Sequence, residues 1–263
     1  MDLIMKDIKV IVAAHKKYRM PEDPMYLPLH VGREGKEDLG YTGDNTGSNI
    51  SLKNPSYCEL TGLYWAWKNL KNKYIGLAHY RRHFSLRTKN RKDKFANVLT
   101  GREASRLLKD CNIILPRRRY YFIENLYDHY AHTMYVEPLN ITGEIIHEKY
   151  PEYLPYFNRL HKRTSAHMFN MFIMRRDILD GYCSWLFDIL GELEQRVDAS
   201  KYDSFHARFY GRISELLLDV YLEKNHLKYK EVGFIYMEKI DKVQKVKDFL
   251  LAKFTGRKYG KSF

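Results

Sequence analysis

Tyr74-Ile75-Gly76-Leu77-Ala78-His79-Tyr80-Arg81-Arg82-His83-Phe84 begins as an apolar run and ends in a dense polar cluster. The run predicts a buried strand that delivers its last side chains to the ligand edge of an open α/β fold. Arg81 and Arg82 are always charged and present paired donors that match phosphate oxygens, so at a strand end they are candidates for gripping a diphosphate without a metal. A solvated strand end is the competing reading.

Upstream, Ile8-Lys9-Val10-Ile11-Val12-Ala13-Ala14 predicts a first central strand that ends at His15. His15 is then either a donor-site residue or an ordinary loop histidine. Residues 18–38 carry Pro21, Pro24 and Pro28 and predict an irregular crossing loop. The next segment, from Gly40 to Ser51, is rich in turn residues but lacks the spacing of a Walker loop or a dinucleotide fingerprint. Its Asp44, Asn49 and Ser51 are candidates for holding a ribose, a base edge or a sugar hydroxyl, against the plainer reading of a loop. Asn54-Pro55-Ser56 opens a helix, with Ser56 and Glu59 in capping-box spacing and Leu60, Leu63, Tyr64, Trp67 and Leu70 as its core stripe. Glu59 is therefore assigned to capping, not to catalysis.

Downstream, residues 85–106 predict a basic surface excursion leading to a short helix that ends near Lys109. Cys111 to Pro116 predicts a strand, and Arg117-Arg118-Arg119 after it is a phosphate or acidic-lipid contact or a solvated charge run. Helical patterns cover 123–135 and 142–150, until Pro151 and Pro155 break them. Met168 to Met174 predicts a strand holding one polar residue, Asn170, which either stitches neighbouring backbone or faces a sugar. A helix over 178–196 buries Leu179, Tyr182, Leu186, Ile189 and Leu193. Another, over 216–224, has Glu215 in its first turn, where the helix dipole stabilises a carboxylate; Glu215 is equally a candidate general base, with Asp203 as the alternative. The segment from Val243 to Phe263 is basic and amphipathic, and suits either an anionic membrane surface or a docked terminal helix.

The 263 residues are long enough for one large domain, expected over 1–240 with 241–263 as a basic tail. With 44% hydrophobic and 14% aromatic residues the chain is too apolar for disorder. A net charge of +13 favours anionic partners without choosing among nucleotides, nucleic acid and acidic lipids. Cys58, Cys111 and Cys183 lack metal-ligand spacing and fit a reducing cytoplasm. No leader and no run of about eighteen apolar residues is present, which argues against secretion and membrane spanning.

Taken together, Asp44 to Ser51, Asn54 to Asn69, Tyr74 to Phe84, Asn170 to Met174 and Ser214-Glu215 resemble a family of bacterial capsular and exopolysaccharide biosynthesis proteins. That family, long carried as a domain of unknown function, is placed among glycosyltransferases that include galactofuranosyltransferases. Asn45 and Ser48 depart from the family's more acidic loop. The resemblance implies a GT-A-like α/β fold with a central mixed sheet flanked by helices. It further implies transfer of a hexose from a nucleotide sugar, a UDP-hexose, to a lipid-linked glycan at the inner face of the cell membrane. Many such enzymes hold Mn or Mg on an Asp-x-Asp at a strand end, and this chain has His79-Tyr80-Arg81-Arg82 there. No metal ligands are therefore assigned, and a divalent ion remains an alternative to the arginines. The expected machinery is Glu215 as base, Arg81 and Arg82 on the leaving diphosphate, and His15, Asp44, Asn49, His79 and Asn170 around the donor. Nucleic acid is not the expected partner. The rival readings are a nucleic-acid-binding protein and a non-catalytic assembly scaffold.

Overall fold

The computed structural model describes residues 6–86, 93–121 and 123–238, and its N-terminal half reads as strands β1 (Ile8–Ala14), β2 (Tyr26–His30) and β3 (Thr42–Gly43), helices α1 (Asn54–Tyr57) and α2 (Leu60–Asn69), strands β4 (Tyr74–His79) and β5 (Arg82–Ser85), and helix α3 (Gly101–Leu107). Strands β6 (Ile113–Pro116) and β7 (Arg119–Tyr120) follow, then helices α4 (Leu126–Thr133), α5 (Glu137–Lys149) and α6 (Leu154–His161). Strands β8 (Ser165–Ala166) and β9 (Phe172–Arg175), helices α7 (Arg176–Arg196) and α8 (Phe209–Lys224), and strand β10 (Lys230–Tyr236) complete the described chain. The predicted boundary at 240 and the basic tail lie outside the described residues. Among the described residues no helix is long and apolar enough to cross a membrane.

The main sheet runs β3-β2-β1-β4-β5-β10-β6-β9, and β9 also pairs with β4. Pairings therefore run from β4 through β5, β10, β6 and β9 back to β4. β1, β2, β3 and β4 are parallel, whereas β5 and β9 run antiparallel to β4, so the sheet is mixed as expected. β4 is buried along nearly its whole length, which is why its sequence is a continuous apolar run and not an alternation. Gly76 is required where β4 meets β9, because a Cβ there would stand 2.7 Å from the Phe172 carbonyl oxygen. In α7 the predicted stripe of Leu179, Tyr182, Leu186, Ile189 and Leu193 is fully buried.

Four expectations are corrected. The crossing loop contains β2, in which Pro28 lies outside the two positions that pair with β3, so its missing N–H breaks no bond on that side. The helix opened by Asn54 is two helices, broken where Cys58 takes φ +53; Glu59 starts the second without a side-chain cap bond, and the capping box with Ser56 does not form. The strand at 168–174 begins only at Phe172, because Phe169 and Asn170 sit in a left-handed turn at φ +82 and +52. Helix α8 starts at Phe209, so Glu215 lies well inside it, beyond reach of the N-terminal dipole. β10 has no counterpart in the sequence reading.

Candidate active site

β1 and β4 are in parallel register, Ala13 opposite His79, so both deliver their ends to one edge of the sheet. Only Tyr80 and Arg81 link β4 to β5, and His79 therefore faces Arg82 across the turn. The polar cluster divides at this turn. Tyr80 is buried, edge-on to His15 and Tyr18 at centroid distances of 5.2 and 5.1 Å. His83 enters the core with neither ring nitrogen hydrogen-bonded, and burial pushes its pKa down to about 3. His79, Arg81 and Arg82 line a cleft.

Five arginines (Arg81, Arg82, Arg119, Arg208 and Arg212) and two carboxylates (Glu59 and Glu215) stand on the cleft walls. The imbalance gives the cleft an excess of positive charge, which favours anions. Arg82 is held by its own stacking: its guanidinium carbon lies 4.3 Å from the centroid of Phe169, which leaves the N–H edges available for bidentate contacts. Arg81 reaches Glu238 at 3.7 Å.

The two carboxylates differ. Glu215 is 5% exposed; its Oε2 makes no hydrogen bond and has Arg212 Nη1 at 3.7 Å. Burial pushes its pKa up and Glu59 adds to this, against the opposing pull of Arg212 and Arg82. For Glu59 burial also acts upward, but His79 and the Asn170 amide outweigh it and hold the carboxyl below its usual range. Asn170 Nδ2 donates to Glu59 Oε1 at 2.7 Å and to the Gly211 carbonyl at 3.0 Å, while Asn170 Oδ1 accepts from Ser214 Oγ at 2.5 Å. His79 Nε2 donates to the Phe169 carbonyl at 2.7 Å and lies 4.0 Å from Glu59; burial lowers its pKa to about 4, with Glu59 opposing. The left-handed turn at Phe169-Asn170 thus orients Arg82 through a ring, His79 through a carbonyl and Glu59 through an amide. Strain of this kind costs about 1–3 kcal/mol per residue and persists where the surroundings fix it.

Of the predicted residues, Glu215, Arg81, Arg82 and His79 meet in the cleft; His15 is exposed against Tyr80 and is not among the lining residues, its pKa lowered by partial desolvation and by Arg81, Lys16 and Arg208. Asn170 lies one layer behind, positioning Glu59. Asp44 is placed elsewhere: fully buried, it accepts from the backbone N–H groups of Gly32 and Arg33 and from the hydroxyls of Ser51 and Thr61, which uses all its acceptor capacity. Asn49 braces the same loop through Gly47 and Ser51. Asp203 caps its own turn, accepting from Phe205 N, His206 N and His206 Nδ1. Neither Asn49 nor Asp203 lines the cleft.

Sequence reasoning missed Glu59, Arg208 and Arg212 as cleft residues, whereas Arg119, from the basic cluster read as a phosphate contact or a solvated run, lines the cleft. Arg208, Arg212 and Glu215 recur at spacings of four and three, one helical face, and that signal was available. Glu59 gave none, because its role depends on the break at Cys58. Among the described residues no group of three or more His, Cys, Asp or Glu side chains is placed to hold a metal ion. The strand end carries no Asp-x-Asp pair, and the cleft's two carboxylates, Glu59 and Glu215, stand among five guanidinium groups.

No curated protein matches the chain. Among solved structures it is similar to the apo form of the bifunctional glycosyltransferase WbbM, at 30% identity and a TM-score of 0.81, over 89% of this chain and 46% of that one. The chain thus spans less than half the length of that protein. Residues 9–226 match the model of a family described as a domain of unknown function, DUF4422. A match over most of the chain makes this protein a member of that family.

Proposed function

We propose that the chain is a GT-A-like glycosyltransferase that moves a hexose from a UDP-sugar, galactose or galactofuranose, to a lipid-linked capsular, exopolysaccharide or O-antigen glycan. It works at the cytoplasmic face of the cell membrane. The observation that carries this reading is the convergence of arginines from three separate segments on one cleft that also holds a buried carboxylate of raised pKa. The likeness to WbbM supports glycosyl transfer as the reaction class.

In this mechanism the acceptor oxygen attacks the anomeric carbon as the bond to the diphosphate breaks, with inversion. Glu215 takes the acceptor hydroxyl's proton, and the diphosphate leaves with the bonding electron pair. Arg81 and Arg82 meet the charge that develops on it, already oriented by the turn and by Phe169. Glu59 and His79 face the transferred sugar, and His15 borders the nucleotide. The deciding experiment is a mass-spectrometric donor screen with UDP-galactofuranose, UDP-galactose, UDP-glucose and their N-acetyl forms against lipid-linked acceptors. Transfer from one of them is expected. Salt-sensitive binding to single-stranded RNA or DNA without any nucleotide-diphosphate binding would overturn the reading.

A further inference from the structure

Two polar atoms of cleft-lining residues have no hydrogen-bond partner: the Tyr130 hydroxyl and Glu215 Oε2. Both residues are only 5% exposed. Buried groups left this way are rare and costly, and a ligand that satisfies them explains their persistence. The phenol donates, whereas an ionised carboxylate only accepts. A hydroxyl is the group that answers both, since it carries one hydrogen and two lone pairs.

The surrounding surface narrows the ligand further. The cation near the Tyr130 phenol is Arg212 of α8, which already faces Glu215 at 3.7 Å; helix α4 supplies no lysine or arginine to this wall of the cleft. Leu126, Met134 and Phe205 line it instead, apolar surfaces of the kind that take the C–H face of a sugar ring. Arg81 and Arg82 come from the β4–β5 turn, a different element. The arginines assigned to the diphosphate, Arg81 and Arg82, and the α4 wall are thus supplied by separate parts of the fold.

We infer that the α4 wall is the acceptor subsite, and that it binds the terminal sugar of a neutral glycan through hydroxyls that meet Tyr130 and Glu215. This rests on the glycosyl-transfer reading and adds where, and through which side chains, the acceptor is held. Burial keeps the Tyr130 phenol protonated and so a donor.

The test is Tyr130→Phe, which removes only an oxygen. Binding of a panel of methyl hexopyranosides, methyl hexofuranosides and their disaccharides is read by saturation-transfer NMR. UDP binding is read separately by calorimetry. Wild type should give glycan signals that fall on the order of tenfold in Tyr130→Phe, with UDP affinity unchanged and the melting temperature no lower than wild type. Equal glycan signals in the two proteins, or none with wild type, would overturn the subsite. Absence of UDP binding to wild type would instead overturn the transferase reading, while a glycan signal lost in Tyr130→Phe would leave the subsite standing.

Discussion

Asn170 holds Glu59 by a 2.7 Å amide-to-carboxylate hydrogen bond between residues far apart in sequence, and does so from a left-handed backbone conformation. Asn170→Ala removes a buried donor and leaves Glu59 Oε1 and Ser214 without it. A stability loss of about 1–3 kcal/mol is expected in denaturant titrations, with a further fall in turnover below the temperature at which the variant unfolds. Lost stability with wild-type turnover would reduce Asn170 to a purely structural role.

Glu215→Gln should retain UDP binding and lose transfer by roughly a hundredfold or more. It also separates charge from packing. A carboxyl whose folded-state pKa is raised favours the protonated form, so its contribution to stability is full below the unfolded-state pKa and is lost as pH rises through the folded-state value. The glutamine variant should therefore melt higher than wild type at neutral pH, with the gap closing on acidification. Equal melting temperatures at pH 7 would show that the carboxylate is not under strain.

Arg82→Lys keeps a charge but not the planar fork stacked on Phe169. The expected result is a donor KM raised about tenfold, roughly 1.4 kcal/mol, with little change in acceptor KM. Turnover should persist in EDTA, because guanidinium groups do the neutralising. Complete loss in EDTA with recovery on adding manganese would move that role to a metal.

His83→Leu addresses acid stability. Burial depresses the imidazole from 6.5 to about 3, so the neutral ring stabilises the fold above the unfolded-state value, and that contribution is lost as pH falls from 6.5 toward 3. The slope from one such group is about 1.4 kcal/mol per pH unit. The leucine variant should lose less stability over that window when unfolding is followed by circular dichroism. An unchanged acid limb would assign the sensitivity to other groups, His79 first, since it is held near 4.

Elements with strong internal pattern were legible in the sequence: β1, β4 and α7 have the predicted register or stripe because burial on both faces or on one helical face leaves a local mark. The charged turn at Arg81-Arg82 was legible for the same reason. β10 was not read, since a short strand after a helix carries little information until β5 and β6 are known to flank it. Asp44 looked like a ligand group because a carboxylate among glycines and asparagines exposes no sign of its partners; Thr61, whose hydroxyl donates to it inside the fold, lies on another element. Glu59 was hidden by the opposite effect, as its spacing from Ser56 imitates a cap that the kink at Cys58 abolishes.

The cleft takes Glu59 from the early chain, Phe169 from its middle, and Arg212 and Glu215 from α8, after which β10 still has to slot between β5 and β6. On the ribosome, a nascent polypeptide that ends before Phe209 holds Arg81, Arg82 and Arg119 but neither Arg212 nor Glu215. The cleft is therefore assembled only when the final third of the molecule has been made, and a truncated fragment should show none of the proposed activity.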